Sequence, residues 1–170
     1  DLWVAHGIPI DAAIEALVAG LRRSTLPSGL IACALRQHDV QASVAVARAA
    51  VRHRGRGVVG FDIAGPEKGF PPTRHLDAFE FVQRENFHMT IHAGEAFGLP
   101  SIWEALQWCG ADRLGHGVRI MDDITVTGSG AVELGRLAAY VRDKRVPLEM
   151  CPSSNVQTGA AASIADHPIG

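Results

Sequence analysis

Three scarcities narrow this chain before any motif is considered. No apolar run approaches the roughly 18 to 20 residues that span a bilayer, and no N-terminal signal pattern is present. Cysteine is sparse: Cys33, Cys109 and Cys151 lie far apart, with no Cys-x-x-Cys and no even-numbered framework of the kind that staples secreted domains. Together these features point to a soluble protein of the reducing cytoplasm. Charge of one sign is lacking too. The formal net charge is -2 with no long run of either sign, which argues against a nucleic-acid face and against a polybasic membrane anchor. A small, near-neutral ligand is the better match.

What is present is apolar. With 170 residues, 47% of them hydrophobic, 18 Gly and 9 Pro, the chain can bury a substantial core and falls in the range of one globular domain, residues 1–170. It opens Asp1-Leu2-Trp3, without Met, and stops at Asp166-His167-Pro168-Ile169-Gly170, where a helix is about to begin. The expectation is a partial chain.

Short apolar runs alternate with amphipathic stretches. Leu30 to Leu35, Gly57 to Ile63, Phe87 to His92, Arg113 to His116 and Val146 to Met150 read as strands. Val40 to Arg54, Thr73 to Glu85, Pro100 to Cys109 and Ala131 to Asp143 read as helices, with apolar residues three or four apart, such as Leu76, Phe79 and Val82. Asp11 to Arg23 is a further helix, with Ile14, Leu17 and Leu21 expected on its inner face. A strand every 25 to 35 residues or so, with a helix in each gap, describes successive βα units on a parallel sheet, because parallel strands need a crossover connection.

Two α/β architectures compete. A dinucleotide-binding sheet would carry Gly-x-Gly-x-x-Gly after its first strand, whereas Leu30–Leu35 is followed by Arg36-Gln37-His38. A (β/α)8 barrel is favoured by the polar residues that close each strand: His38, Asp62 with Gly65, His92 with Glu95, His116, and Ser153 with Asn155. Catalytic residues of such barrels sit at this rim. A complete barrel takes about 250 residues and eight strands, so about five βα units form a partial barrel with two open edges, through which the chain could self-associate.

Among these strand ends, Thr90-Ile91-His92-Ala93-Gly94-Glu95 is the most informative, since an apolar strand ends in an imidazole followed by a carboxylate. That pairing suits a metal and a proton donor; a single strand histidine also serves as a core or capping residue. His88 forms a His-x-x-x-His spacing with His92, but at about 3.3 Å per residue along a strand the two rings stand roughly 13 Å apart, too far to share one zinc. His88 is read as structural.

The other ends allow two readings each. Gly65 is either a site where a ligand approaches the backbone or a turn glycine ahead of Pro66. Gly115-His116-Gly117 presents an accessible imidazole or a hydrogen-bonded turn histidine. Cys151-Pro152-Ser153-Ser154-Asn155 has hydroxyls and an amide without a paired base, so a cap or loop brace is favoured over a serine nucleophile. Asp122-Asp123 through Gly130 lacks calcium-loop spacing and reads as a solvated surface loop.

Taken in order, Phe61-Asp62-Ile63-Ala64-Gly65, His92-Ala93-Gly94-Glu95, Arg113-Leu114-Gly115-His116-Gly117 and Cys151-Pro152-Ser153-Ser154-Asn155 resemble the adenosine deaminase family of metal-dependent amidohydrolases, in its bacterial wording. The likeness covers nearly the whole chain. It implies zinc-dependent hydrolytic deamination of adenosine and deoxyadenosine to inosine and ammonia, on a small-molecule substrate. His92 would be a Zn2+ ligand through a neutral ring nitrogen. Glu95 would be the proton shuttle at purine N1, His116 would orient and help deprotonate the attacking water, and the Gly65 backbone would receive the purine N3 edge, with Asp62 in support. The Pro-Cys-x-x-Cys signature of cysteine-ligated nucleobase deaminases is absent.

The family also carries a His-x-His pair on its first strand and an Asp in a Thr-Asp-Asp or Thr-Asp-Asn motif on its last. This chain holds neither, and so presents one of the four expected zinc ligands and corresponds to barrel strands three to seven. Two further functions compete with this one: an aminopurine deaminase of the same superfamily, and a non-catalytic half-barrel that binds a partner through its open edges.

Overall fold

A computed structural model describes residues 6–169; the Asp1-Leu2-Trp3 start lies outside them. Helix α1 (Ile10–Leu21) buries Ile14 and Val18, four residues apart on one face. Leu17, expected inward, is instead 41% exposed, because the buried stripe follows 14 and 18 and turns 17 toward solvent.

Strand β1 (Leu30–Leu35) leads into α2 (Val40–Arg52), whose first turn is capped by Asp39 accepting from the Gln41 N–H at 2.7 Å. Ala47, Ala49 and Ala50 are fully buried on α2, and such small side chains let the helix lie close against the sheet. Strand β2 (Val58–Ala64) follows, then a 3-10 turn (Pro72–His75) running into α3 (Leu76–Arg84). Phe79 of α3 meets Phe61 of β2 edge-on, centroids 5.9 Å apart, both fully buried. Strand β3 (Thr90–Ala93), α4 (Leu99–Gln107) and β4 (Arg113–His116) complete the next units.

The chain departs from the expected pattern after β4. A 3-10 turn (Val118–Asp123) is followed by an antiparallel hairpin of β5 (Ile124–Val126) and β6 (Val132–Leu134). The expected helix from Ala131 therefore begins only at Arg136, as α5 (Arg136–Lys144). Val132 to Leu134 have a strand partner across the Thr127–Gly130 turn, and the Asp123 carboxylate accepts from Leu137 and Ala138 N–H groups, both at 2.9 Å, which sets where the helix starts. The Asp122–Gly130 segment is thus folded, although Val126 and Val132 remain exposed. Strand β7 (Leu148–Glu149) and α6 (Pro152–Gln157) end the regular structure.

β1 pairs with β2, β3 with β4, and β4 with β7, all parallel, and a parallel bridge from Phe61 to Met89 links β2 to β3. In space the parallel strands run β1-β2-β3-β4-β7. Among the described residues they do not close into a barrel, and β1 and β7 each have one strand neighbour. Register levels the carboxyl ends: Cys33 stands opposite Asp62, His92 opposite Gly115, and Ala93 opposite His116. A common rim results.

Candidate active site

Cavity-lining residues gather at that rim. A cavity of about 440 Å³ is bounded by Arg36, Gly65, Glu67, His92, Glu95 and His116 among others, so the four residues singled out in the sequence all face it. Thr158, beyond α6, lines it as well.

His92 is the penultimate residue of β3, with its side chain 34% exposed. Its Nδ1 stands 2.9 Å from Oδ2 and 3.2 Å from Oδ1 of the buried Asp62. Burial works against the charged ring, but the hydrogen bond and charge of Asp62 outweigh it and leave the His92 pKa above its ordinary value. A carboxylate on Nδ1 sets the tautomer and leaves Nε2 for a ligand, which is the arrangement around metal-bound histidines. Gly115 beside it has no room for a side chain: a Cβ there would stand 2.7 Å from the His92 Nδ1.

Around Asp62 the thiol of Cys33 lies 3.8 Å from Oδ2, its pKa pushed up to about 12 by burial and the neighbouring carboxylate. None of the three cysteines is bridged.

His116 ends β4 with φ +68, a left-handed conformation unusual for a residue with a Cβ. The ring is largely buried, packed edge-on against His92 at 5.0 Å between centroids and in contact with Asn155, yet it lines the cavity. Burial lowers its pKa, against the opposing pull of Glu95 and with His92 adding to the fall.

Glu95 sits 3.3 Å from His116 Nδ1 through Oε1. The same oxygen accepts from Asn155 Nδ2 at 2.9 Å, from Thr158 Oγ1 at 3.0 Å and from Ser154 Oγ at 3.4 Å. Three donors on Oε1 leave Oε2 as the oxygen free to serve a ligand.

Beneath the loop that carries Glu95, the buried Glu67 accepts from four successive backbone N–H groups. Gly94 donates to Oε1, and Glu95, Ala96 and Phe97 donate to Oε2 at 2.7 to 3.1 Å. Gly65, at φ +107, faces the cavity where any side chain would strike Gln37. Arg36 is fully buried and donates to the carbonyls of Phe70 and His92, tying the end of β1 to that of β3; burial lowers its pKa, with Glu67 and Asp62 opposing.

Sequence reasoning missed three of these parts. Glu67 carried no local signal, Asn155 was read only as part of a cap or loop brace, and Arg36 was noted only as a residue that is not glycine. His88 stands apart, three-quarters exposed with Nδ1 3.6 Å from Asp112. His38 is half-buried beyond the end of β1. Among the described residues no three His, Cys, Asp or Glu side chains converge to hold a metal. His92, with Asp62 on its Nδ1, could serve as one metal ligand, and the described residues do not form a full ligand set.

An open sheet of parallel βα units thus places an acid, a carboxylate-tied imidazole and a second imidazole around one cavity at the strand ends. The chain belongs to the adenosine deaminase family, whose sequence profile matches residues 2–170. It is 61% identical over 173 residues to adenosine deaminase 1 of Streptomyces coelicolor, covering 96% of this chain and 43% of that one. It is 57% identical over 178 residues to an adenosine deaminase of Mycobacterium sp. strain KMS, covering 99% and 49%. The chain thus spans a little under half the length of these relatives. The fold is shared with an adenine deaminase from Arthrobacter aurescens, TM-score 0.78 at 23% identity over 98% of this chain and 48% of that one. An amidohydrolase from Burkholderia ambifaria, solved with bound Zn, aligns at TM-score 0.76 and 24% identity over 89% and 40%.

Proposed function

We propose that residues 1–170 act as one domain contributing strands three to seven of a (β/α)8 barrel, and that this barrel deaminates adenosine and deoxyadenosine hydrolytically to inosine or deoxyinosine and ammonia, in the cytoplasm. The observation that carries the reading is the convergence of His92, Glu95 and His116 on one cavity, each held by a buried polar partner.

In this reading His92, its Nδ1 tied to Asp62, would be one of the residues that hold a zinc ion, and the remaining ligands would come from segments outside these residues. When bound, zinc supplies an activated water. His116 would orient the attacking water toward C6 of the purine. Glu95 delivers a proton to purine N1 through Oε2, the oxygen not occupied by Asn155, Ser154 and Thr158. The purine N3 edge rests on the Gly65 backbone, which lines the cavity. The open sides of β1 and β7 are where the rest of the barrel, or a second copy, pairs.

A hybrid in which these residues replace the matching segment of the Streptomyces coelicolor relative tests the proposal. The hybrid is expected to convert adenosine to inosine, and Glu95→Gln to lower kcat by about 10³-fold, the scale of losing a general acid. Adenine is assayed in parallel. A folded, zinc-loaded hybrid that leaves adenosine unchanged, or that prefers adenine, overturns it.

A further inference from the structure

One buried amide touches both proposed catalytic side chains, and nothing in the roles assigned so far accounts for it. Asn155 is wholly buried on the short helix α6. Its Nδ2 lies 2.9 Å from Glu95 Oε1 and 3.0 Å from His116 Nδ1, and its Oδ1 lies 2.9 Å from His167 Nε2. An amide nitrogen carries two hydrogens and an amide oxygen carries none. Nδ2 can therefore satisfy two acceptors at once: its contacts with Glu95 Oε1 and His116 Nδ1 are both shorter than the 3.3 Å between those two atoms, which makes Glu95 Oε1 an acceptor and His116 Nδ1 an unprotonated nitrogen, while Oδ1 requires the N–H of His167 Nε2.

The far side of the network agrees. His167 Nδ1 is buried with no hydrogen-bond partner. A buried N–H without an acceptor is costly, so the ring hydrogen belongs on Nε2, where it donates to Asn155, and not on Nδ1.

We infer that Asn155 is a positioning residue that holds Glu95 and His116 in register and fixes His116 as the Nε2–H tautomer, with His167 in turn fixing the orientation of the Asn155 amide. The consequence at the site is directional. His116 reaches the cavity with a hydrogen to donate from Nε2, so it aims the attacking water by donating to its oxygen. Glu95 keeps Oε2 turned to the ligand because Oε1 is occupied. A segment about 60 residues downstream of Glu95 thereby sets the geometry of both groups. This deepens the deaminase reading and rests on its assignment of Glu95 and His116.

The first test needs neither turnover nor metal: nitrogen-15 histidine NMR of the purified 170-residue chain. The expected spectrum shows His116 with Nε2 protonated and Nδ1 bare. Asn155→Asp replaces the shared donor with an acceptor oxygen and is expected to move the His116 proton to Nδ1, whereas His167→Gln, which retains a donor toward Oδ1, is expected to leave it at Nε2. An Nδ1–H ring in the unsubstituted chain overturns the inference, and so does a tautomer that Asn155→Asp does not move. In the active hybrid, Asn155→Asp is expected to lower kcat by about 10²-fold with KM within about twofold, the scale of a small misplacement of catalytic groups, and His167→Gln to retain most of kcat. Equal losses in kcat for both substitutions, with His116 unmoved, also overturn it. An inactive hybrid whose His116 still follows Asn155 would sink the deaminase reading and leave the positioning role standing.

Discussion

Two carboxylates do similar work in different places. Glu67, beyond β2, accepts from four backbone N–H groups of the loop after β3. Asp123, ahead of β5, accepts from two at the start of α5. Glu67 is buried against the cavity, whereas Asp123 is half-exposed beside a hairpin that carries no site chemistry. Both staple a segment distant in sequence. The difference lies in what the stapled segment carries: Glu67 holds the backbone of Glu95, and Asp123 holds only a helix end. Burial and location, rather than residue type, separate a supporting residue of the site from a cap.

Substitution should widen that contrast. Glu67→Ala leaves four N–H groups without their charged acceptor in a buried place, and is expected to lower stability by about 3 kcal/mol in urea unfolding, with a loss of turnover in the hybrid beyond what the stability change explains. A cost under 1 kcal/mol would show that solvent replaces the carboxylate. Asp123→Ala is expected to cost about 1 kcal/mol, the usual value of a helix cap, and to leave hybrid turnover unchanged. Should Asp123→Ala cost as much as Glu67→Ala, the distinction between the two staples fails.

A smaller effect comes from His75, fully buried between the Ser43 hydroxyl and the Arg36 carbonyl. Burial lowers its pKa below the ordinary 6.5, the Arg36 carbonyl opposing. The unfolded chain therefore binds the proton more readily. The contribution is complete above pH 6.5 and is lost as pH falls from there toward the folded value. Urea midpoints measured at pH 7.5 and 5.5 should differ more in the unsubstituted chain than in His75→Gln. Equal differences would mean that His75 titrates alike in both states.

Much of the rim was legible in the sequence, because a strand that ends in a chemically capable residue places it at the rim whatever the packing. His92, Glu95, His116 and Gly65 were found in that way, and all four line one cavity. What escaped was convergence. Asn155 sat in a quoted motif as a brace, and nothing local announces that its amide reaches a glutamate 60 positions earlier. For His116 the sequence left two readings open, an accessible imidazole or a hydrogen-bonded turn histidine; the neighbouring strand, with His92 on it, is what buries most of the ring. The hairpin escaped for the opposite reason: β5 and β6 are three residues each, too short for alternation to stand out from a surface loop.

By itself the sequence determined the βα order, the parallel sheet and the residues at the strand ends, because hydrophobic period and crossover length are local properties that a chain carries along its own backbone. Only the tertiary structure decided which polar groups meet, which histidine ring is buried and which oxygen of Glu95 is left for a ligand. Those depend on register between strands far apart in sequence, where a shift of one residue turns every side chain to the other face.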